Sequence, residues 1–222
     1  MRTIVFDVNE TLLDLGVMRS PFAEALGEPD ALSRWFSRML HLSLVATLTG
    51  LTPDLGQVGR AALRAVADRA GRSLDPETTD RLLGMLRELP SHPEVPAALA
   101  RLRDAGFRCA ALTNSSGAVA HAQLAHAGLD GLLDPVLSVD AVGRFKPAPE
   151  AYRMASERLG VAPAELRLVA AHDWDVIGAM RAGWAAAFVN RPGQTWAPLT
   201  EPPDVVGRDL DEVVDRISEL DG

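Results

Sequence analysis

Length, composition and charge exclude several classes of protein. The chain has 222 residues, of which 47% are hydrophobic, and its 22 Lys and Arg against 30 Asp and Glu give a formal net charge of −8. This composition is typical of a soluble globular protein, and because no long basic stripe is present we expect no nucleic acid and no membrane as a partner.

Apolar runs typical of buried strands recur along the chain. They are predicted at Thr3–Val8, Phe107–Leu112, Leu132–Val139, Leu166–Ala171 and Ala185–Asn190. Helical patterns separate most of these runs, and a glycine stands where each of four helices is expected to end, at Gly106, Gly128, Gly160 and Gly183. The alternation predicts an α/β fold with a parallel sheet and helices on both faces. After Pro192 the chain is only richer in proline and acid, so no element is predicted there.

Residues from about 16 to 90 show no strand pattern. Amphipathic helices are predicted there at Ala31–Leu48, Gln57–Ala70 and Pro76–Leu89. Three prolines then precede a helix over Val95–Ala105 that leads back into the sheet. We therefore expect a catalytic core made of residues 1–15 and 91–222, with residues 16–90 inserted as a helical cap that covers the crevice and excludes water.

The cysteine content and the N-terminal residues favour a cytoplasmic location. Cys109 is the only cysteine, so no disulfide forms within the chain, and its apolar neighbours predict a buried thiol. The chain begins with a strand pattern instead of a signal peptide, and no apolar run reaches the ~18 residues of a membrane span.

Polar side chains follow four of the predicted strands. They form four groups in chain order: Asp7 with Thr11; Thr113, Asn114 and Ser115; Lys146; and His172, Trp174 and Asp175. Each group has an ordinary explanation when taken alone, namely a helix N-cap or a solvated lysine. Because the carboxyl ends of parallel strands meet at one edge of a sheet, the four groups are expected to converge in one crevice.

The order of these groups resembles the four motifs of the haloacid dehalogenase superfamily. Those motifs are an acid with a nearby threonine, a Thr-Asn pair, a Lys-Pro pair and a final acid. The resemblance spans nearly the whole chain and implies a Rossmann-like core with an inserted helical cap. Most members are magnesium-dependent phosphatases, and two positions oppose that activity here. Asn9 stands where the phosphatases place an acid that protonates the leaving oxygen, and Ala171 stands where they usually place a metal-binding acid.

The chain is more similar to the type II (S)-2-haloacid dehalogenases, which lack both of those acids. Lys146 followed by Tyr152, and Trp174-Asp175 followed by Gly178, also match this subfamily. The resemblance implies that Asp7 displaces halide from C2 of a small 2-haloacid and that water then hydrolyses the aspartyl ester. It implies no cofactor, with Mg²⁺ expected only if the chain is a phosphatase.

The resemblance, together with the residues that replace its motif positions, gives a set of candidate site residues. The candidate catalytic residues are Asp7, Thr11, Lys146, Asp175 and His172. The candidate substrate-binding residues are Asn9, Thr113, Asn114, Ser115, Arg38, Tyr152 and Trp174. Lys146 would keep Asp7 ionised, and Asp175 would position Lys146 and the hydrolytic water.

Several positions depart from the subfamily pattern. Asn9 stands where its members usually have an aromatic residue, and their Ser-Ser-Asn appears here as Ala170-Ala171-His172. Phe36, directly after Trp35, stands where the subfamily has an arginine that cradles the halide. Arg38 or Arg34 of the same helix is therefore a candidate halide ligand, with a surface ion pair as the alternative for each. His172 replaces an asparagine, and it either hydrogen-bonds or deprotonates water or serves as a structural group beside the site.

The leading hypothesis is thus a metal-independent hydrolase of small anionic 2-haloacids. One alternative is a magnesium-dependent phosphatase of a small phosphorylated metabolite. A second is a catalytically idle protein that binds an anion or a partner protein, which the presence of Asp7, Lys146 and Asp175 argues against. Dimerisation is common in the subfamily, so a homodimer stays open.

Overall fold

A computed structural model describes residues 2–197 and 199–222 and has a six-stranded parallel sheet at its centre. The strands are β1 (Thr3–Phe6), β2 (Cys109–Thr113), β3 (Val136–Ser138), β4 (Leu166–Ala170), β5 (Ala185–Val189) and β6 (Val205–Gly207). Their spatial order is β3-β2-β1-β4-β5-β6, and every neighbouring pair is parallel. This is the Rossmann-like α/β fold that the sequence predicts.

The central strands are buried on both faces because helices cover the sheet. Val5 of β1 lies opposite Ala110 of β2 and Leu168 of β4, and all three are fully buried. Such strands are continuous apolar runs in the sequence instead of alternating ones. The covering helices are α5 (Val95–Asp104), α6 (Gly117–His126), α7 (Pro149–Leu159), α8 (Asp173–Arg181) and α9 (Leu210–Asp221).

A helical insertion lies between β1 and α5. It contains α1 (Arg19–Leu26), α2 (Ala31–Thr49), α3 (Leu55–Arg69) and α4 (Pro76–Gly84), with short 3-10 helices at Leu15–Met18 and Met85–Glu88. Trp35 of α2 is fully buried and donates its indole N–H to the Gly59 carbonyl of α3 at 2.8 Å. A Cβ atom on Gly59 would lie 3.5 Å from both Trp35 and Met39, so α2 and α3 pack closely at this point.

Several elements differ from the sequence-based expectation. The segment after Pro192, where no element is predicted, contains β6 and α9, and α1 is also additional. The third strand is limited to Val136–Ser138, at the edge of the sheet beside Pro135, which has no N–H to donate to a ladder. The helix predicted over Pro76–Leu89 ends at Gly84 and continues as a 3-10 helix.

A buried arginine attaches α9 to the sheet. Arg167 of β4 is fully buried, and its guanidinium donates to Asp221 of α9 at 2.6 Å and to Asp204 at 2.6 and 2.9 Å. Paired and hydrogen-bonded charges of this kind are tolerated in an interior, whereas a lone charge is not. The C-terminal helix is therefore joined to the core by charge as well as by apolar packing.

The thiol of Cys109 is buried, as expected, and this burial raises its pKa to about 11. Within the part of the chain that the structure describes, no helix combines the length and apolar character needed to cross a bilayer.

Candidate active site

The candidate site lies at the carboxyl edge of the sheet, where the strand order reverses between β1 and β4. Open α/β sheets bind ligands in the crevice at such a switch point. Asp7 directly follows β1, and its backbone N–H still donates to Val169 of β4 at 3.0 Å. His172 and Asp175 follow β4, and Lys146 follows β3. The topology thus brings together residues that are far apart in the chain.

The Asp7 carboxylate is buried and held by two donors. Oδ1 accepts a hydrogen bond from Lys146 Nζ at 2.9 Å, and Oδ2 accepts one from Thr11 Oγ1 at 2.8 Å. Thr11 Oγ1 in turn accepts the backbone N–H of Ala171 at 2.9 Å. Burial alone would raise the pKa of Asp7, but the Lys146 ammonium and His172 together hold it well below its usual range. Asp7 is therefore ionised at neutral pH.

Lys146 is a buried ammonium whose three N–H groups all have acceptors. They are Asp7 Oδ1 at 2.9 Å, Asp175 Oδ2 at 2.6 Å and the Leu112 carbonyl at 2.8 Å. Burial lowers the pKa of Lys146, but Asp175 and Asp7 more than reverse this effect and the net shift is upward. The backbone N–H of Lys146 donates to Asn114 Oδ1 at 2.8 Å, which fixes the loop that carries the ammonium.

Tyr152 positions Asp175 from below the crevice. Its hydroxyl donates to Asp175 Oδ1 at 2.6 Å, and burial together with Asp175 raises the pKa of Tyr152 well above the ordinary value, so the hydroxyl keeps its proton. A Cβ atom on Gly178 would lie 2.4 Å from this hydroxyl, so α7 and α8 approach closely only because residue 178 is glycine. Tyr152 is fully buried, and this placement favours positioning of Asp175 over the predicted contact with substrate.

His172 is enclosed by aromatic rings and carboxylates. Its ring stacks between Phe36 of α2, at a centroid distance of 5.6 Å, and Trp174, at 5.0 Å. Nδ1 lies 3.3 Å from Asp7 Oδ2, and Nε2 lies 2.7 Å from Glu10 Oε2. Burial lowers the pKa of His172, but the hydrogen bonds and charges of Asp7 and Glu10 raise it to about 9. The imidazole is therefore protonated at neutral pH.

Glu10 is a site residue that the sequence analysis missed. It has a φ of 61°, which is uncommon for a residue other than glycine, and such conformations cluster at functional sites. His92 Nε2 lies 3.1 Å from the Glu10 carbonyl oxygen, and Gln194 donates to Glu10 Oε2 at 3.2 Å. No local pattern marks Glu10, because its partner His172 is 162 residues away.

Arg191 and Gln123 are two further residues that support the site and were not predicted. The buried Arg191 donates to the Thr11 carbonyl at 2.8 Å and so fixes the turn after Asp7. Gln123 of α6 donates to Asn9 Oδ1 at 2.9 Å and to the Leu86 carbonyl of the insertion at 2.7 Å. Both contacts depend on tertiary packing, so the sequence carries no signal for them.

The Thr113-Asn114-Ser115 segment forms the turn between β2 and α6. Thr113 is fully buried, and its Oγ1 accepts the Ser115 backbone N–H at 3.1 Å. The Ser115 hydroxyl accepts from Asn9 Nδ2 at 3.2 Å. Backbone N–H groups at the start of a helix favour anions, so this turn is a suitable place for a carboxylate. Ser115 also lines a groove of about 910 Å³ between the insertion and the core.

Arg38 does not lie at this site. It lines a separate surface groove together with His41 of α2 and Arg69 of α3. Phe36, which contacts His172, is two residues away on α2, and two residues correspond to about 200° around a helix. Arg38 therefore lies on a different face of α2 from Phe36, and its contact with substrate stays a prediction. Arg34 forms ion pairs with Glu28 and Asp30 on the surface of the insertion.

The residues present do not fit a magnesium ion. Magnesium requires near-octahedral oxygen ligands, but the Lys146 ammonium lies between Asp7 and Asp175. Asp173 accepts backbone N–H groups of Trp174 and Ala197 at 2.7 and 3.3 Å. Across residues 2–197 and 199–222, no group of three or more His, Cys, Asp or Glu side chains is arranged to hold a metal.

The fold and the site define a class of α/β protein that has a Rossmann-like core, a helical insertion and an ionised carboxylate paired to a buried lysine at the carboxyl edge of the sheet. Comparison with known proteins agrees. The family model described as haloacid dehalogenase-like hydrolase matches residues 1–183, and the chain belongs to this family.

Its similar relatives are dehalogenases. (S)-2-haloacid dehalogenase 4A of Burkholderia cepacia is 34% identical over 230 residues, which cover 99% of this chain and 93% of that protein. The structure of L-2-haloacid dehalogenase from Xanthobacter autotrophicus has a TM-score of 0.91 and 28% identity and covers 100% of both chains. A second structure of that enzyme, with chloropropionic acid covalently bound, has a TM-score of 0.91 and 27% identity over the same coverage.

Proposed function

We propose that this chain hydrolyses small 2-haloacids to 2-hydroxyacids and halide through a covalent ester on Asp7. The observation that carries the proposal is the contact of 2.9 Å between the ionised Asp7 carboxylate and the Lys146 ammonium, with Asn9 at the position two residues after Asp7 where the phosphatases have a general acid. Similarity to the (S)-2-haloacid dehalogenases, and a relative with chloropropionic acid covalently bound, supports both the substrate class and the intermediate.

In the first step, a carboxylate oxygen of Asp7 attacks C2 and the carbon–halogen bond breaks with its electron pair on the halide. A halide leaves without a proton, so Asn9 at the position of a general acid does not impair the reaction. Lys146 keeps Asp7 ionised and Thr11 fixes the orientation of its carboxylate. Asp175, itself held by Tyr152, positions Lys146. His172 acts in the second step, in which water hydrolyses the ester.

The substrate carboxylate is proposed to bind at the turn that leads into α6. Asn114 and Ser115 lie at this turn, and Asn9 is hydrogen-bonded to Ser115. Thr113 holds the turn in shape through its bond to the Ser115 N–H. Trp174 forms a wall of the pocket through its stacking on His172.

Residues 16–90 are proposed to act as the cap over this site. Phe36 of α2 reaches His172, and Leu86 is hydrogen-bonded to Gln123 of the core, so the insertion contacts the site directly. A homodimer is part of the same proposal, because Leu44, Leu48 and Leu51 expose apolar surface at one end of α2. A cytoplasmic location is also proposed, since one buried cysteine forms no disulfide within the chain.

Halide release tests the proposal. The protein is incubated with chloroacetate or 2-chloropropionate in the presence of EDTA, and free halide is followed against an Asp7→Asn control. Release by the parent protein alone is expected, whereas no release combined with magnesium-stimulated hydrolysis of a phosphate ester would reverse the assignment. In a single turnover in heavy-oxygen water, the label is expected in Asp7 and not in the product, because the product takes its oxygen from the carboxylate.

A further inference from the structure

His172 and Glu10 make or break no bond when the ester forms, yet they form a chain of contacts to the nucleophile: His172 Nδ1 lies 3.3 Å from Asp7 Oδ2, and Nε2 lies 2.7 Å from Glu10 Oε2. Lys146 and Thr11 already hold the two oxygens of Asp7. The mechanism also requires a group that takes a proton from the hydrolytic water. Lys146 does not serve, because its three N–H groups are all donated and its pKa is raised.

We propose that Glu10 is a positioning residue for ester hydrolysis: it holds His172 so that, once Asp7 is esterified, the imidazole Nδ1 accepts a proton from the attacking water. This inference rests on the proposed function. It assigns the second half of the reaction to a carboxylate–imidazole pair that no local sequence pattern indicates.

The geometry fixes which ring nitrogen faces the ester. Nε2 is anchored on Glu10 at 2.7 Å, whereas Nδ1 lies at the longer distance of 3.3 Å from Asp7 Oδ2. The stacked rings of Phe36 and Trp174 prevent the imidazole from turning out of this orientation. Nδ1 is thus the nitrogen directed at Asp7, and its weaker contact is the one that a water molecule can replace.

The charges around His172 make its proton depend on the state of Asp7. Asp7 and Glu10 contact the imidazole directly. Lys146 and Asp175 lie beyond Asp7, and His92 lies beyond Glu10. Asp173 begins α8, and α2 places the uncharged Phe36 against the ring. Ester formation removes the negative charge of Asp7, which is one of the two anions that stabilise the imidazolium. His172 then releases its proton to solvent, and Glu10 keeps the remaining proton on Nε2.

Atoms and charges balance in the proposed hydrolysis step. Nδ1 takes one proton from water as its oxygen bonds to Cγ of Asp7. The bond from Cγ to the substrate oxygen then breaks, and that oxygen leaves with the electron pair and takes the proton from Nδ1. The acid formed at Asp7 passes its proton to Nδ1, which restores the carboxylate and the imidazolium. The one proton released to solvent is the one that dehalogenation produces overall.

The test compares Glu10→Gln with the parent protein under rapid quench, with 2-chloropropionate as the substrate. Halide burst measures ester formation, and mass spectrometry of the quenched protein measures the covalent adduct. We expect Glu10→Gln to form the adduct at close to the parent rate and to hydrolyse it at least 100-fold more slowly, as for loss of a general base. A normal burst also shows that the variant is folded. Glu157→Gln on the exposed face of α7 is the matched control and should behave like the parent protein.

Four outcomes are decisive. Accumulation of adduct in Glu10→Gln and in His172→Leu, together with loss in Glu10→Gln of the rise of hydrolysis with pH seen in the parent, supports the proposal. Equal slowing of ester formation and hydrolysis indicates a merely structural role and overturns it, as does normal hydrolysis in Glu10→Gln. Absence of halide and adduct in the parent protein itself would overturn the proposed function, and this inference with it.

Discussion

Replacement of Lys146 by methionine removes the only cation that lies between two buried carboxylates of the described site. At 2.9 Å from Asp7 and an effective dielectric of ~20, the Coulomb attraction is about 6 kcal/mol before desolvation is subtracted. Breaking a buried pair by removing one partner destabilises a protein by about 3–5 kcal/mol. We therefore expect Lys146→Met to lower the free energy of unfolding by about 3–5 kcal/mol, measured by urea titration.

Activity should fall as well, because without the ammonium the pKa of Asp7 rises toward neutrality and less of the nucleophile is ionised. Residual halide release should then increase with pH. The double variant Lys146→Met with Asp175→Asn is the control. It removes one of the two buried carboxylates that lose their cation, so it should recover part of the stability but not the activity. Unchanged stability and unchanged halide release at pH 7 in Lys146→Met would refute the reasoning.

The remaining predictions concern stability. Arg167→Met should lower the free energy of unfolding by up to about 3–5 kcal/mol, because the buried Asp221 then keeps only Arg2 as a cationic partner, and an unaltered urea midpoint would contradict this. The pKa of His172 is about 9 in the folded state against 6.5 in the unfolded chain, so its contribution of about 3 kcal/mol is present below pH ~6.5 and is lost as pH rises through 9. His172→Asn should remove this part of the pH dependence in urea titrations, and an identical profile would disprove the assignment. Gly178→Ala should destabilise by about 1–3 kcal/mol through the clash with the Tyr152 hydroxyl, measured as a lower Tm, with an unchanged Tm as the contrary result.

Much of the sheet could be predicted from local pattern. β1, β2 and β4 are continuous apolar runs because both of their faces are buried, and this property is visible in the sequence. By contrast β6 has only three residues, too few for a strand pattern. The helix α9 does carry an amphipathic pattern, with apolar residues at Leu210, Val213, Val214 and Ile217, and the sequence analysis missed it because it treated the whole proline-rich segment as irregular. Their positions depend on pairing with β5 and on the ion pair between Arg167 and Asp221.

The candidate site, like the fold, has features that the sequence predicts and features that it does not. The position of Asp7 at the end of a strand follows from the sequence alone, and so does the order of Thr113, Lys146 and Asp175 at later strand ends. Because parallel strands expose their carboxyl ends at one edge, order along the chain was enough to predict convergence.

Only the tertiary structure decided which side chains touch. Arg38 was a candidate because neighbouring turns of one helix can share a face, but the structure brings Phe36 of that helix to His172 and places Arg38 at a separate groove. The contact between Glu10 and His172 joins residues 162 positions apart, and it exists because β1 and β4 are neighbours in the sheet. The periodicity of the sequence determines on which face of its helix or strand a side chain lies. The packing of helices and strands against one another determines which residues that side chain contacts.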